Sequence, residues 1–256
     1  MSATQHAPQY APLGGFRFIP GVYQYSAGVA AEPGFRLERV RFAEPVPMAD
    51  GFACIAAVLD AAGRPKQAFC ACELRSPAPF TEAGFEAFNR QYGAVLTDWG
   101  VFVDGLNPVA RSNVCPELHK PPEPGFHAFT FTMPEHGAAP SFVVAGSGES
   151  AEGKGTYREN TVALGDLSPA GLHRKVLWVL AEMERRMATL GFTWAATTGV
   201  QAYTVHDLHS VMAGELVVRG AARNGLTWQF CRPPVVDLEF EMDCRAVFVE
   251  RVISTI

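Results

Sequence analysis

The same order of secondary-structure elements is written twice along this 256-residue chain, and that repetition restricts the folds open to it. The anchor is the segment from Ser168 to Leu190. Ser168 suits an N-cap, Pro169 the first helical position, and Gly191 the residue after the last turn. Leu172, Val176, Val179, Met183, Met187 and Leu190 recur at three- and four-residue steps, while Arg174, Lys175, Glu182, Arg185 and Arg186 fall elsewhere. This spacing predicts an amphipathic helix with one buried face. Residues 192–204 predict a strand, 206–217 a short helix, and 226–231 and 236–252 two further strands. In the last, Leu238, Phe240, Met242 and Cys244 alternate with Asp237, Glu239, Glu241, Asp243 and Arg245, which predicts one apolar face and one solvated face.

The first half reads the same way. Strands are expected at 22–25 and 35–42, a helix at 48–62 stopped by Gly63, and a strand at 67–74. A second helix fits 81–97, with Phe85, Phe88, Tyr92 and Val95 on one face. Strands at 110–115 and 126–132 follow, and 134–140 reads as a linker. Each half is thus β-β-α-β-α-β-β. Gly63 and Gly191 end matching helices, and ten residues after each stand Glu73 and Gln201. Arg111 and Arg223 each precede a Pro-Pro pair by ten residues, and His127 and Glu239 each follow the first proline of that pair by six. The expected architecture is α+β: two tandem domains, at 14–134 and 139–256, each with its helices packed on one face of its own sheet.

Composition narrows the function. The chain has 21 Lys and Arg against 26 Asp and Glu, a net charge of −5, and no basic block, so a nucleic-acid partner is not expected. Apolar runs stop well short of the roughly 20 residues that span a bilayer, so no membrane partner is expected. The first fifteen residues have neither a basic n-region nor an apolar h-region; they read as a loosely ordered arm and not as a signal peptide. Six cysteines occur with no C-x-x-C pair, which points to buried thiols, a reduced cytoplasmic location and no zinc site. The run from Gly148 to Gly155 falls short of a P-loop, because Gly155 stands where Ser or Thr would reach magnesium; it reads as a hairpin tip. His206 and His209 share a helix face but lack further ligands, and Cys115 reads as a buried thiol.

Several short motifs, taken in order, resemble the RidA/YjgF family. QYSAGV at 24–29 is similar to its N-terminal Tyr-Ser motif, NPVARSNV at 107–114 to its Pro-Ala-Arg motif, and SFVVAGSGE at 141–149 to its early strand ending in Ser-Gly-Gln. RPPVVDLEFEMD at 232–243 resembles its terminal Glu-x-Glu strand, and Asn89 and Tyr92 stand where the family's second helix has such residues. The resemblance covers roughly 16–254 in pieces. It implies a chorismate-mutase-like fold in each half, trimeric packing of two-domain chains, and sites in clefts between neighbouring domains. It also implies hydrolysis of enamine or imine acids to keto acids and ammonia, with no cofactor and no metal.

Residue by residue, the resemblance assigns substrate binding to Arg111, to Arg223 through a poorer motif, to Tyr25 and to Gly146, and water positioning to Glu239. His127 stands at the matching place in the first half, where its imidazole could move protons. An arginine suits a carboxylate substrate because its planar fork makes two parallel charge-assisted bonds. Neither half has the complete set, so one composite site is expected, with Arg111 facing Glu239. The substrate expected is a small carboxylate-bearing enamine, such as a 2-aminomuconate. A chorismatase-like hydrolase and a non-catalytic ligand-binding protein remain alternatives on the same reading.

Overall fold

A computed structural model describes residues 7–254. The first six residues of the expected arm, and the last two of the expected second domain, lie outside the described residues. The strands are β1 (Gln9–Ala11), β2 (Phe16–Ile19), β3 (Gly28–Ala31), β4 (Phe35–Pro47), β5 (Phe69–Arg75), β6 (Ala110–Pro116) and β7 (Gly125–Pro134) in the first half. The second half adds β8 (Phe142–Gly148), β9 (Gly199–Tyr203), β10 (Thr227–Gln229), β11 (Cys231–Arg232), β12 (Glu241–Ala246) and β13 (Val249–Ile253). The helices are α1 (Met48–Ala61), α2 (Glu82–Asp98), α3 (Tyr157–Asn160), α4 (Pro169–Leu190) and the single turn α5 (His209–Val211).

The pairing of these strands overturns the expectation of two self-contained β-β-α-β-α-β-β domains. One sheet has seven strands in the order β1-β2-β3-β8-β12-β9-β10, and the other has six in the order β11-β6-β5-β7-β4-β13. Each sheet draws strands from both halves. β3 pairs antiparallel with β8, Val29 opposite Val143, which carries the N-terminal strands into the sheet of the second half. β13 pairs parallel with β4, Val249 opposite Glu38, which carries the C-terminal strand into the sheet of the first half. Period-2 alternation says which residues of a strand share a face, but not which strand lies beside it, so these exchanges leave no local mark.

Smaller differences follow from the same exchange. The stretch expected as one strand over 236–252 is divided, with β12 in one sheet and β13 in the other. Residues 22–25 form a turn closed by a Val22–Tyr25 bridge, not a strand. Part of the expected loose arm is β1, held antiparallel on β2.

α4 packs on the seven-stranded sheet. The Ser168 hydroxyl accepts from the Gly171 N–H at 3.1 Å, and Gly191 takes a left-handed φ of 88° at the stop. Val179, Leu180 and Met183 are fully buried against Phe142, Val144 and Met242. Truncating such a residue to Ala costs about 2–5 kcal/mol. α1 and α2 pack on the six-stranded sheet through Ile55, Leu59, Phe85 and Tyr92. The two sheets meet through their other faces, so the layers run helix, sheet, sheet, helices.

Two charged residues of α4 are buried with its apolar face. Lys175 Nζ binds Glu149 Oε1 at 3.1 Å, with both side chains fully shielded. Glu149 also accepts from the backbone N–H groups of Glu239 (2.7 Å) and Phe240 (3.1 Å). This buried pair therefore fixes the chain just before β12. Among the described residues, no helix is long and apolar enough to cross a membrane.

Candidate active site

A cleft of about 390 Å³, counting its open mouth, lies where β6, β8, β12, α2 and α3 come together. From the first half it takes Tyr25, Phe85, Arg111 and Asn113; from the second, Gly146, Glu152, Tyr157 and Glu241. Arg111 and Asn113 are two residues apart on β6, so they share a face of that strand. The Arg111 guanidinium is 3% exposed and sits among aromatic rings, with Cζ 4.8 Å from the Tyr92 ring centre and 5.4 Å from that of Tyr25. Its Nη2 donates to Asn89 Oδ1 at 2.7 Å.

Among the described residues, two donors in this cleft are left without partners. Arg111 Nη1 is buried and makes no hydrogen bond, and the same holds for Asn113 Nδ2. A buried donor with no acceptor costs about 1–3 kcal/mol, more when it is charged. Such groups are rare in native structures, and these two, side by side in a cleft, are free to take an acceptor.

The acids of the cleft differ from one another. Glu241 is 3% exposed, and burial, with Asp243, Glu152 and Glu149 nearby, raises its pKa well above the ordinary carboxylate range. It therefore favours the neutral acid. Its side chain lies against Gly146, so closely that a Cβ there would collide with the carboxyl. Glu152 is paired with Arg186 Nη2 at 3.4 Å and accepts from the Tyr25 hydroxyl at 2.5 Å. Arg186 is itself 2% exposed; burial opposes its charge, but Glu152 and Glu182 outweigh this and raise its pKa. The site thus offers an aromatic-walled cation, a neutral acid and a second carboxyl held in place by Tyr25 and Arg186.

The structure brings Arg111, Tyr25 and Gly146 to this cleft; Glu239, His127 and Arg223 do not line it. Glu239 lies just before β12, bonded to His206 Nε2 at 2.7 Å. His127 is on β7 on the side of the sheet that carries Glu73; burial, with Arg75 nearby, lowers its pKa to about 3, so it is neutral near pH 7. Arg223 lies in the turn after the helical stretch at 212–217, its backbone N–H bonded to the Gly220 carbonyl.

Sequence reasoning missed Asn113, Glu152, Tyr157 and Glu241 as candidates. Glu241 stood in the Glu-x-Glu pair beside Glu239, on the alternating face read as solvated; the face is instead covered by the opposite sheet. Glu152 stood in the glycine-rich run read as a hairpin tip. That run leads into α3, where Thr156 and Glu159 form a capping box, and it brings Glu152 and Tyr157 to the cleft. No local signal in the sequence marks this. Among the described residues, no group of three or more His, Cys, Asp and Glu is placed to hold a metal ion.

A family model described as 2-aminomuconate deaminase CnbZ matches residues 9–251. A 2-amino-5-chloromuconate deaminase of Comamonas testosteroni is 49% identical over 242 residues, which cover 94% of this chain and 96% of the relative. Among solved structures, a chorismatase crystal structure superposes with a TM-score of 0.52 over 86% of this chain and 77% of its own, at 11% identity. At that identity the likeness is one of fold, and it agrees with two shared sheets in place of two small separate domains.

Proposed function

The chain belongs to the 2-aminomuconate deaminase CnbZ family, and from that premise we propose that it hydrolyses a 2-aminomuconate-type enamine acid to the 2-oxo acid and ammonia. This family membership replaces the broader RidA/YjgF resemblance as the guide to function. The observation that carries the reading is the pair of unpartnered donors, Arg111 Nη1 and Asn113 Nδ2, in a cleft that also holds the neutral acid Glu241.

The chemistry follows from the substrate class. An enamine must be protonated on carbon before water can add to C2. Arg111 holds a carboxylate of the substrate. Glu241, kept neutral by burial, gives its proton to a carbon of the conjugated chain, and the C2–nitrogen bond becomes an imine. Glu152, oriented by Tyr25 and Arg186, positions a water molecule and takes its proton as the oxygen bonds to C2. Glu152 then returns its proton to the nitrogen, Glu241 takes the hydroxyl proton, and the carbinolamine collapses to the 2-oxo acid and ammonia with both acids restored. In sum, enamine and water give 2-oxo acid and ammonia.

The test is ammonia release from 2-aminomuconate by the purified protein and by R111A. Roughly a hundred- to thousand-fold loss is expected in R111A, as for removal of one partner of a buried, hydrogen-bonded charge pair. Release that survives R111A undiminished would place the chemistry elsewhere.

A further inference from the structure

Asn113 is 3% exposed on β6. Its Oδ1 is occupied by the Ser76 hydroxyl, which donates to it at 3.0 Å. That bond sets the orientation of the amide and leaves Nδ2 as the free end, buried and without a partner, on a residue that lines the cleft. Two residues along a strand amounts to roughly 7 Å, so Asn113 and Arg111 present separate donors on one wall. A substrate with a single carboxylate satisfies one of them. A linear six-carbon chain with a carboxylate at each end satisfies both.

We infer that Asn113 selects a dicarboxylate, donating through Nδ2 to the carboxylate remote from the amine-bearing carbon while Arg111 holds the near one. The assignment rests on the deaminase reading above. Repulsion from the acids of the cleft does not oppose it, because Glu152 is paired with Arg186 and Glu241 favours its neutral form. An analogue with a methyl group in place of the remote carboxylate would leave Nδ2 without an acceptor and forgo the charge-assisted hydrogen bond that the dicarboxylate gains.

Two stable, unreactive compounds differ in that one group: 2,4-hexadienedioate and 2,4-hexadienoate. Their dissociation constants are measured by calorimetry on the full chain. The wild type is expected to prefer the dicarboxylate by roughly ten- to hundred-fold, the range of one hydrogen bond to a charged group. N113A removes the preference and leaves the affinity for hexadienoate unchanged, whereas R111A weakens both compounds. N113D keeps an oxygen for Ser76 and turns the free donor into an acceptor; it serves if N113A does not fold, and it disfavours the dicarboxylate further. The inference is overturned if the wild type shows no preference, if N113A retains it, or if N113A weakens both compounds equally. A wild-type preference that N113A abolishes, with no ammonia release from 2-aminomuconate, would instead sink the deaminase reading and leave the binding role of Asn113 standing.

Discussion

The two faces of strand β6 are both buried and both polar, yet they are treated oppositely. On one face Ser112 donates to Asp243 Oδ2 at 2.6 Å across the seam between the sheets. Asp243 also accepts from Tyr203 (2.7 Å) and Gln201 (3.0 Å). Nearby, Glu73 takes two bonds from Arg39, at 2.6 and 2.9 Å, and a longer one of 3.4 Å from Gln201. On the other face, Arg111 and Asn113 each keep a donor with no acceptor. The carboxylates of the seam are met by protein donors and hold the two sheets together, although Arg245 Nη1, beside Glu73 and Asp243, is buried with no partner among the described residues. Charge at the cleft is held in reserve. Neither burial nor a single free donor therefore separates a structural polar cluster from a binding site; the cleft differs in placing two free donors on one strand face beside a neutral acid.

The largest effect that could break this contrast is at Glu241. E241Q is expected to lower the rate of ammonia release by about 10²–10⁴-fold, the usual contribution of a positioned proton donor. The same change should stabilise the fold at neutral pH. Below the ordinary carboxylate value of 4.5 both states of the wild type carry the proton, and Glu241 makes no difference. Above it the unfolded chain releases the proton while the buried side chain keeps it, so wild-type stability falls as pH rises. Urea melts of both proteins from pH 4 to 8 should therefore diverge upward in favour of E241Q. Parallel curves would mean that Glu241 ionises freely and is not the acid.

Next in size is the seam. Burial opposes the charge of Glu73, but Arg39 outweighs it and holds the carboxylate well below its ordinary range. E73Q leaves Arg39 facing an uncharged partner, and breaking such a buried pair costs about 3–5 kcal/mol. The contribution of Glu73 is present above its unfolded pKa and is lost as pH falls toward the folded one, so the deficit of E73Q seen at pH 7 should shrink in acid. Ammonia release per folded molecule should stay near wild type. A kinetic defect with unchanged stability would reverse the roles assigned to the two faces.

G146A tests the junction of the two regions, since Gly146 donates its N–H to Ser112 at 3.1 Å and supports the Glu241 side chain. Overfilling here should cost about 1–3 kcal/mol in a thermal or urea melt and lower the rate as Glu241 is displaced. The smallest effect is expected at H206A. His206 and Glu239 form a partly shielded pair away from the cleft, at 22% and 16% side-chain exposure. Its loss should change stability by less than about 1 kcal/mol and leave ammonia release within about twofold. A large kinetic effect would bring Glu239 into the chemistry.

What could be read without the structure was whatever lies within one turn or one strand. The caps and apolar stripe of α4 were legible because a helix is specified by spacings of three and four residues. Arg111, Tyr25 and Gly146 were legible as short motifs, and all three line the cleft. The alternation around Met242 and Cys244 was legible too, and those side chains do pack under α4. The tertiary structure decided the rest. It placed β3 beside β8 and β13 beside β4, and so merged the two halves into shared sheets. It covered the face of Glu241 and Asp243 that alternation alone assigns to water, and it brought Glu152 in from a glycine-rich loop. The physical reason is that periodicity is a property of a few consecutive residues, whereas burial, and the pKa shift that follows from it, depends on a strand or loop remote in the chain.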